Sequence, residues 1–381
     1  MSKVIVLGAG MVGSAIAIDL AAKHQVTLAD LSEETLEKVR LKCNSLAIQR
    51  LDVTRLRELN KHLAGHDLVI NAVPGFLGFK TLQTIIESGM NVVDIAFFPE
   101  NAMELDELAK AHNVTAIVDC GVAPGMDNVI LGYYNEIMNL TDFECLVGGL
   151  PKIKKWPFCY KAPFSPIDVI EEYTRPARYV ENGHIIVREP LTDCEYVEFE
   201  KAGTLEAFNS DGLRSIIHTM PHIPNMKEKT LRYPGHVEYV KVLKESGFFS
   251  TEKITFDGTR IAPLDFTSRI LFNEWRLGEK EEEMTLFRVT LKGENKNGQR
   301  EEVVYNMHDE YSSDTGTSSM ARTTGYTATA AANMVLEGVF DEKGVSPPEL
   351  VGKHKACFDY FLKYLEERDI HYVKRSRIIQ K

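Results

Sequence analysis

The sequence has no excess of positive charge and no long hydrophobic run. Its 44 Lys and Arg residues stand against 55 Asp and Glu, which gives a formal net charge of -11. Nucleic acids and anionic membranes are therefore not expected partners, because no basic surface would offset the repulsion of phosphate groups. No apolar run approaches the roughly 20 residues that cross a bilayer, and the first apolar strand begins too close to Met1 for a cleavable signal. We expect a cytoplasmic protein that acts on a small molecule.

Cysteine and histidine also lack the spacing of a metal site. Neither a C-x-x-C pair nor an H-E-x-x-H motif is present, and the six cysteines are scattered along the chain, at Cys43, Cys120, Cys145, Cys159, Cys194 and Cys357. This pattern predicts neither a disulfide framework nor a structural metal ion. We expect the thiols to be reduced and buried, and the function to require no metal.

The first third of the chain alternates short apolar runs with helical segments. From Lys3 to about Met138 the runs include VIVL, VTLAD, LVINAV and VVDIA, each followed by a helical pattern. Such runs are typical of strands that crossover helices bury on both faces. Residues 1–125 are therefore predicted to form an α/β domain of the Rossmann type, with a doubly wound parallel sheet of about six strands.

The pattern changes after Gly125. Two alternating runs, TLFRVTL and EEVVYNM, are joined by a turn rich in Gly and Asn, which predicts a β-hairpin. Residues 126–316 are predicted to form a second α/β domain built on a largely antiparallel sheet. The small residues that follow Ser318, and an amphipathic segment at 354–367, predict that 317–381 forms helices that return to pack on the first domain.

The segment VIVLGAGMVG, residues 4–13, is the clearest functional motif. It follows a predicted strand and opens a helix, so its glycines allow a tight turn, a close approach to a pyrophosphate and close helix packing. Asp30 ends the second strand, where a carboxylate binds the ribose hydroxyls of NAD and repels the 2′-phosphate of NADP. NAD is the predicted cofactor, and its binding residues at this turn are predicted to be Gly8, Gly10, Met11, Val12, Gly13 and Asp30.

Two further segments are candidates for cofactor contacts. The fourth strand ends in NAVPG, and ligands of such sheets bind at the carboxyl edge, so Asn71, Ala72 and Pro74 are predicted to lie beside the cofactor. An ordinary surface loop is the alternative. Asp52 follows the third strand and lies either near the adenine or in a solvated turn.

Six further motifs, in the same order along the chain, resemble the saccharopine dehydrogenase superfamily. They are GVAPGM at 121–126, GGLP at 148–151, EYT at 172–174 with Pro176, LEAF at 205–208, TLRYPGH at 230–236 and MAR at 320–322. The resemblance covers nearly the whole chain and is closest to the L-lysine 6-dehydrogenase branch. The glutamate-forming saccharopine reductases carry an aspartate, a tyrosine and a cysteine where this chain has Ala123, Phe97 and Val147, which weakens that assignment.

The resemblance implies both an architecture and a reaction. An NAD-binding domain is completed by C-terminal helices, and an inserted domain carries substrate binding and subunit contacts. In lysine dehydrogenases hydride passes from C6 of lysine to the nicotinamide, the imine is hydrolysed, and ammonia leaves an aldehyde that cyclises. A homo-oligomer, a dimer or higher, is also expected because the second domain has antiparallel sheet edges.

This reaction requires a base, since only a neutral amine releases hydride. Asp94 and Asp119 follow the predicted fifth and sixth strands and are the candidates, because ligands bind at that sheet edge. The alternative for each is an aspartate that caps the next helix.

The remaining candidates belong to the substrate compartment. Arg232, and after it Arg214, is predicted to bind the α-carboxylate, although Arg214 also fits an ordinary surface arginine. His236 and Tyr160 are suited to orient the amine or share its proton, or to be structural. Glu206 is predicted to bind the distal amine or to pair with an internal arginine.

These residues favour NAD-dependent oxidative deamination of an amino acid, with L-lysine at C6 as the first candidate substrate. A reductase of the saccharopine or carboxynorspermidine type is the alternative enzyme. A catalytically silent NAD-binding sensor is the alternative from another class of protein.

Overall fold

Two large β-sheets with helices packed around them form the protein. The computed structural model describes residues 1–163, 166–278 and 281–379. The first sheet is parallel and has seven strands, in the order β17-β6-β5-β4-β1-β2-β3. The second has nine strands, most of them antiparallel.

The parallel sheet and its crossover helices come mainly from the first part of the chain. In chain order its elements are β1 (Lys3–Leu7), α1 (Met11–Ala21), β2 (Gln25–Asp30), α2 (Glu33–Lys42), β3 (Ala47–Arg50), α3 (Leu56–Leu63), β4 (Leu68–Asn71), α4 (Gly75–Glu87), β5 (Val92–Asp94), a 3-10 turn (Ala102–Leu105), α5 (Asp106–Ala111), β6 (Thr115–Ile117) and α6 (Met126–Asn135). The central strands are buried throughout, as β4 illustrates. The prediction of a Rossmann-type doubly wound sheet is confirmed.

The second sheet has its central strands in the order β10-β11-β12-β7-β15-β16-β18, with β8 joined to β12 and β9. Its elements before the hairpin are β7 (Met138–Pro151), α7 (Pro166–Thr174), β8 (Ala177–Glu181), β9 (His184–Arg188), β10 (Glu195–Phe199), β11 (Gly203–Asn209), α8 (Ile216–Thr219), β12 (Asn225–Arg232), α9 (His236–Glu245), β13 (Ile254–Phe256), β14 (Thr259–Ile261) and α10 (Pro263–Trp275). β13 and β14 pair only with each other, and β12 runs parallel to β7. The predicted hairpin is β15 (Glu283–Asn295) with β16 (Arg300–Glu310).

The C-terminal region returns to the first sheet but is not only helical. Its elements are α11 (Ser319–Glu337), β17 (Gly344–Ser346), α12 (Pro348–Gly352), α13 (Lys355–Glu366) and β18 (Val373–Ile378). Helix α11 packs on α1, as expected. The structure adds two strands that hydropathy did not indicate: β17 extends the parallel sheet beside β6, and β18 pairs with β16 in the second sheet. Each is short or exposed, so it lacks a long apolar run.

Within the described ranges, no helix is both long and apolar enough to cross a membrane.

Helices α6 and α12 approach each other closely through two glycines. A Cβ atom at Gly132 would lie 2.1 Å from the carbonyl oxygen of Glu349, and one at Gly352 would lie 2.3 Å from that of Val129. Both neighbours are backbone atoms, which cannot rotate away. The contact fixes the C-terminal region against the first helix of the second domain.

Gly132→Ala is expected to lower the free energy of unfolding by about 1–3 kcal/mol, because the added methyl group forces the two helices apart. Chemical denaturation measures the change. Gly325→Ala in α11 is the matched control, since its nearest neighbour would be a side-chain atom at 3.3 Å. An equal effect of the two substitutions would contradict this account of the α6–α12 contact.

Candidate active site

A cavity of about 550 Å³ lies where the carboxyl ends of the parallel strands face the second sheet. The glycine segment after β1 and the ends of β4 and β6 line one part of it. Residues of α7, β7 and β12, and the segment after β11, line the other part. One continuous space therefore joins the predicted cofactor site to the second domain.

The glycine turn has the shape that a dinucleotide requires. Gly8 has φ +104°, and a Cβ atom there would lie 2.4 Å from the carbonyl oxygen of Ala72. A Cβ atom at Gly13 would lie 2.1 Å from the carbonyl oxygen of Gly8, whereas Gly10 faces open space. No side chain caps the N-terminus of α1, so its first N–H groups can bind phosphate oxygens. These residues fit a pyrophosphate.

Asp30 lies at the end of β2 and lines the same cavity. Its Oδ2 accepts the N–H of Ala9 at 2.7 Å and its Oδ1 accepts the N–H of Ser32 at 2.8 Å. These bonds fix the carboxylate beside the glycine turn, where a ribose would lie.

The other candidate cofactor residues divide into two groups. Met11, Val12, Ala72 and Pro74 line the cavity. Asp52 is outside the lining and accepts the N–H and O–H of Thr54 at 3.0 and 2.6 Å. These contacts fit the solvated turn, which is one of the two alternatives that the sequence left open for Asp52.

Asn71 and Asp94 form a buried pair behind the cavity wall. Both are fully buried and neither lines the cavity. The amide of Asn71 donates to Asp94, which also accepts the N–H of Ala96 at 2.8 Å. Burial raises the pKa of Asp94 well above its ordinary value. These contacts are those of a buried pair that supports the strand ends. The catalytic role of Asp94 and the cofactor contact of Asn71 stay predictions.

Asp119 lines the cavity and pairs with Arg214. The Arg214 Nε lies 3.0 and 2.9 Å from the two carboxylate oxygens, and both side chains are buried. The guanidinium also lies over the Phe97 ring, 4.6 Å from its centroid. Arg214 does not line the cavity. Its charge is used internally on Asp119, so these contacts do not support substrate binding by Arg214, which stays a prediction.

Arg232 lines the cavity and is 2% exposed. Its Nη2 donates to Glu172 at 2.7 Å and to the Tyr160 hydroxyl at 3.3 Å, and its Nε donates to the Tyr173 hydroxyl at 3.0 Å. Its Nη1 donates to the carbonyl oxygen of Leu231 at 2.9 Å. The guanidinium is therefore held rigidly at the cavity wall. Tyr160 lies behind it, outside the lining.

His236 lies one step further behind Arg232. Its Nε2 is 2.9 Å from the Tyr173 hydroxyl and its Nδ1 is 2.9 Å from the carbonyl oxygen of Phe158. Burial and the charge of Arg232 lower the pKa of His236 to about 3. The ring is neutral, so Nδ1 donates to Phe158 and Nε2 accepts from Tyr173. The ring lies outside the cavity lining and holds Tyr173 in position, and the catalytic role of His236 stays a prediction.

Glu206 also lies outside the cavity lining. Its Oε2 accepts the N–H of Gly235 at 3.3 Å, and burial raises its pKa. The nearby charged groups are Glu238 and Lys241, and no arginine of the described chain pairs with it. The expected pairing with an internal arginine is therefore absent from the described chain, and binding of the distal amine stays a prediction.

The structure also brings to the cavity residues that the sequence analysis did not assign. Glu228 and Thr230 line it together with Arg232, which was predicted, and the three are alternate residues of β12. Their spacing of two is the one signal that could have identified Glu228, since alternate residues of a strand face the same side. Further charged residues of the lining come from α7 and neighbouring segments, namely Glu171, Glu172, Arg175 and Asp211.

Glu228 belongs to a buried cluster of three polar side chains. The carboxylates of Asp127 and Glu228 and the thiol of Cys145 lie within 4.8 Å of one another. All three residues are buried, and Asp127 Oδ2 and Glu228 Oε2 have no hydrogen-bond partner. Burial, together with the other nearby carboxylates, raises the pKa of both acids.

The neutral state of His236 predicts a pH dependence of stability. Its pKa in the folded protein, about 3, is below the ordinary value of 6.5. Between these values the unfolded state binds a proton that the folded state does not, so the free energy of unfolding falls as the pH decreases through this window, by about 1.4 kcal/mol per pH unit.

Chemical denaturation at several pH values is expected to show a shallower loss of stability for His236→Gln than for the unsubstituted protein. The difference between the two slopes isolates this residue from the buried carboxyl groups. Equal slopes would show that His236 is protonated in the folded protein.

Comparison with known families and structures agrees with this architecture. Residues 4–117 match the model described as the saccharopine dehydrogenase NADP binding domain, and residues 121–370 match the saccharopine dehydrogenase C-terminal domain. The chain is 23% identical to carboxyaminopropylagmatine dehydrogenase of Synechocystis sp., over 91% of this chain and 92% of that protein. It is 24% identical to the L-glutamate-forming, NADP(+) saccharopine dehydrogenase of Pyricularia oryzae, over 96% of each.

Solved structures support the same fold. Apo saccharopine dehydrogenase (L-Glu forming) of Saccharomyces cerevisiae superposes with a TM-score of 0.79 at 22% identity, covering 99% of this chain and 100% of that one. Homospermidine synthase of Legionella pneumophila in complex with NAD gives 0.69 at 13% identity, covering 99% and 91%. The C-terminal domain model alone spans more than half of the chain. The protein belongs to the saccharopine dehydrogenase family of amino-acid oxidoreductases.

Proposed function

We propose that the protein is an NAD-dependent dehydrogenase that deaminates an amino acid at its side-chain amine, with L-lysine at C6 as the substrate. The products are the semialdehyde, which cyclises, and ammonia. The observation that carries the proposal is the continuous cavity. It joins the glycine turn, which fits a dinucleotide, to a substrate compartment lined by carboxylates.

The charges of the substrate compartment favour a cationic substrate. Two arginines line it, Arg175 and Arg232, and each is paired with a glutamate of α7. Its carboxylates are Asp119, Glu171, Glu172, Asp211 and Glu228. The first four pair with arginines, which leaves Glu228 for a cationic group of the substrate. Lysine brings two amines and one carboxylate, which suits this balance. Saccharopine carries more carboxylates than lysine and would need more unpaired arginines.

Arg232 is suited to bind the single carboxylate. A guanidinium has five N–H donors, and the structure uses four of those of Arg232 within the protein. The remaining Nη1–H is available to a ligand in the cavity. Arg175, which pairs with Glu171 through Nη2 at 3.0 Å, lines the same compartment. A carboxylate between these two arginines would be fixed at one end of the substrate.

Asp30 supports NAD as the cofactor, although the family model is described as NADP binding. Its carboxylate lies at the position that meets the ribose, where it would repel a 2′-phosphate. The glycine turn and Asp30 would hold NAD, which would supply the acceptor for the hydride that leaves the amine carbon.

Assembly into a homo-oligomer belongs to the same proposal, since β10 is an edge strand of the second sheet.

A second candidate is a dehydrogenase of a secondary amine that joins an amino acid to a cationic partner. The relative named carboxyaminopropylagmatine dehydrogenase motivates it, and the unpaired carboxylate of Glu228 in the compartment is equally suited to such a cationic substrate.

Formation of NADH, followed by absorbance with the purified protein and NAD, tests the proposal. The panel is lysine, lysine methyl ester, ornithine, saccharopine and carboxyaminopropylagmatine. Lysine is expected to be oxidised with release of ammonia, and the ester to react at least about tenfold more slowly because it lacks the charge that pairs with Arg232. Turnover only with a secondary amine would favour the second candidate. Bound NAD without any turnover would overturn both and favour a sensor.

Asp30→Ser is expected to reduce the preference for NAD over NADP by about tenfold or more, because it removes the charge that repels the 2′-phosphate. The ratio of kcat/KM for the two cofactors measures the change. Asp52→Ser is the matched control, since Asp52 lies outside the cavity lining. A preference for NADP in the unsubstituted enzyme would contradict this reading of Asp30.

A further inference from the structure

We infer that Glu228 is the catalytic base of this site, the carboxylate that takes a proton from the ammonium group of the substrate. The inference rests on the proposed function. It comes from the geometry of β12 and from the partners of the other carboxylates in the cavity. Within the described ranges, Glu228 is the one carboxylate of the lining whose side chain has neither a hydrogen bond nor an ion pair.

The other carboxylates of the lining are already in use. Each has partners in the structure: Asp30 with the N–H groups of Ala9 and Ser32, Asp119 with Arg214, Glu171 with Arg175, Glu172 with Arg232, and Asp211 with Arg178. A carboxylate paired with a guanidinium is a weak base, because the adjacent positive charge favours its ionised form. Glu228 has no such partner, and its Oε2 is unsatisfied.

Glu228 and Arg232 can contact one ligand because they lie on the same side of β12. Thr230 lies between them, and all three residues line the cavity. Four residues of strand separate the Cα atoms of Glu228 and Arg232 by about 13 Å, so the two side chains meet different parts of a ligand. A substrate whose carboxylate lies at the Arg232 end therefore presents its amine toward Glu228.

The backbone opposite Glu228 leaves room for its carboxyl group. A Cβ atom at Gly212 would lie 1.8 Å from Glu228 Oε1 and 2.1 Å from Oε2. Only glycine is compatible with the carboxyl group in this place. The side chain is thus confined beside the cavity even though no polar partner holds it.

The groups around Glu228 are mostly acidic. Asp127 on α6 and Cys145 on β7 lie behind it. Glu172 on α7 and Asp211 after β11 add negative charge, and the charge of Arg214 opposes them only in part. Burial and these charges raise the pKa of Glu228, which is the direction a general base near neutral pH requires.

The proposed step balances as a simple proton transfer followed by the oxidation. The carboxylate takes one proton from R–CH2–NH3⁺, which leaves R–CH2–NH2 and a neutral Glu228. The C–H electron pair then leaves as hydride while the nitrogen lone pair forms the C=N bond. Water gives its oxygen to that carbon and two protons to nitrogen, so that R–CHO and NH4⁺ result. Glu228 finally releases its proton to solvent.

Glu228→Gln is expected to lower kcat for lysine oxidation by about 10²–10⁴-fold and to abolish the rise of kcat with pH that the ionisation of the base causes. Glu144→Gln on β7 is the matched control, since Glu144 is half-buried and outside the cavity lining. Near-normal kcat with an unchanged pH profile in Glu228→Gln would overturn the inference.

Asp127→Asn tests whether Glu228 is the base, because the pH dependence of kcat would not change if the role of Glu228 were purely structural. It removes a negative charge that raises the pKa of Glu228, so the rise of kcat is expected at a pH lower by about one unit. A shift to higher pH, or no shift, would contradict the assignment.

A measurement without turnover separates this inference from the proposed function. Infrared spectra of the protein across the pH range, with those of Glu228→Gln subtracted, are expected to show a protonated carboxyl group that ionises at a higher pH than an ordinary glutamate, since burial and the nearby acids raise the pKa of Glu228. If no amine is oxidised but this carboxyl band appears and shifts when lysine binds, the proposed function is wrong, while the inference that Glu228 exchanges a proton with the ligand is supported. Absence of the signal, or a stoichiometric metal ion that holds Glu228 ionised, would overturn the inference.

Discussion

The buried ion pair between Asp119 and Arg214 joins the two sheets at the cavity. Asp119 follows β6 of the parallel sheet, and Arg214 lies between β11 and α8 of the second domain. Removing one partner would leave the other charge buried and unpaired, at a cost of about 3–5 kcal/mol. The guanidinium groups of Arg214 and Arg175 both lie over the Phe97 ring. The cavity wall on the cofactor side therefore depends on a contact between the domains.

Local sequence signals were sufficient to place the glycine turn and Asp30 side by side. Gly8, Gly10 and Gly13 lie within six residues, and Asp30 follows the next strand, so their arrangement depends only on a strand, a turn and a helix. The alternation of strands and helices likewise predicted the parallel sheet. The sequence did not indicate β17, because three residues give no hydrophobic period.

The substrate compartment was less predictable because its contacts are non-local. Arg214 was expected to face the substrate, but it meets Asp119, 95 residues away. His236 has the side chain of a proton donor, yet the aromatic residues around it, among them Tyr160, Tyr173 and Trp275, bury it and keep it neutral. Residue type indicates what a group can do, whereas burial and partners decide whether it does so.

The network around Arg232 explains why a buried cation is compatible with substrate selection. Its ion pair with Glu172 and its hydrogen bonds to the tyrosines offset the cost of burying the charge. They also fix the guanidinium in one orientation, so a carboxylate meets a donor that needs no reordering. Under the proposed function, a ligand without that carboxylate would leave the last N–H group of Arg232 without a partner from the ligand, and an unpaired buried donor costs about 1–3 kcal/mol. The proposed selection therefore depends on a donor for which the described chain shows no partner.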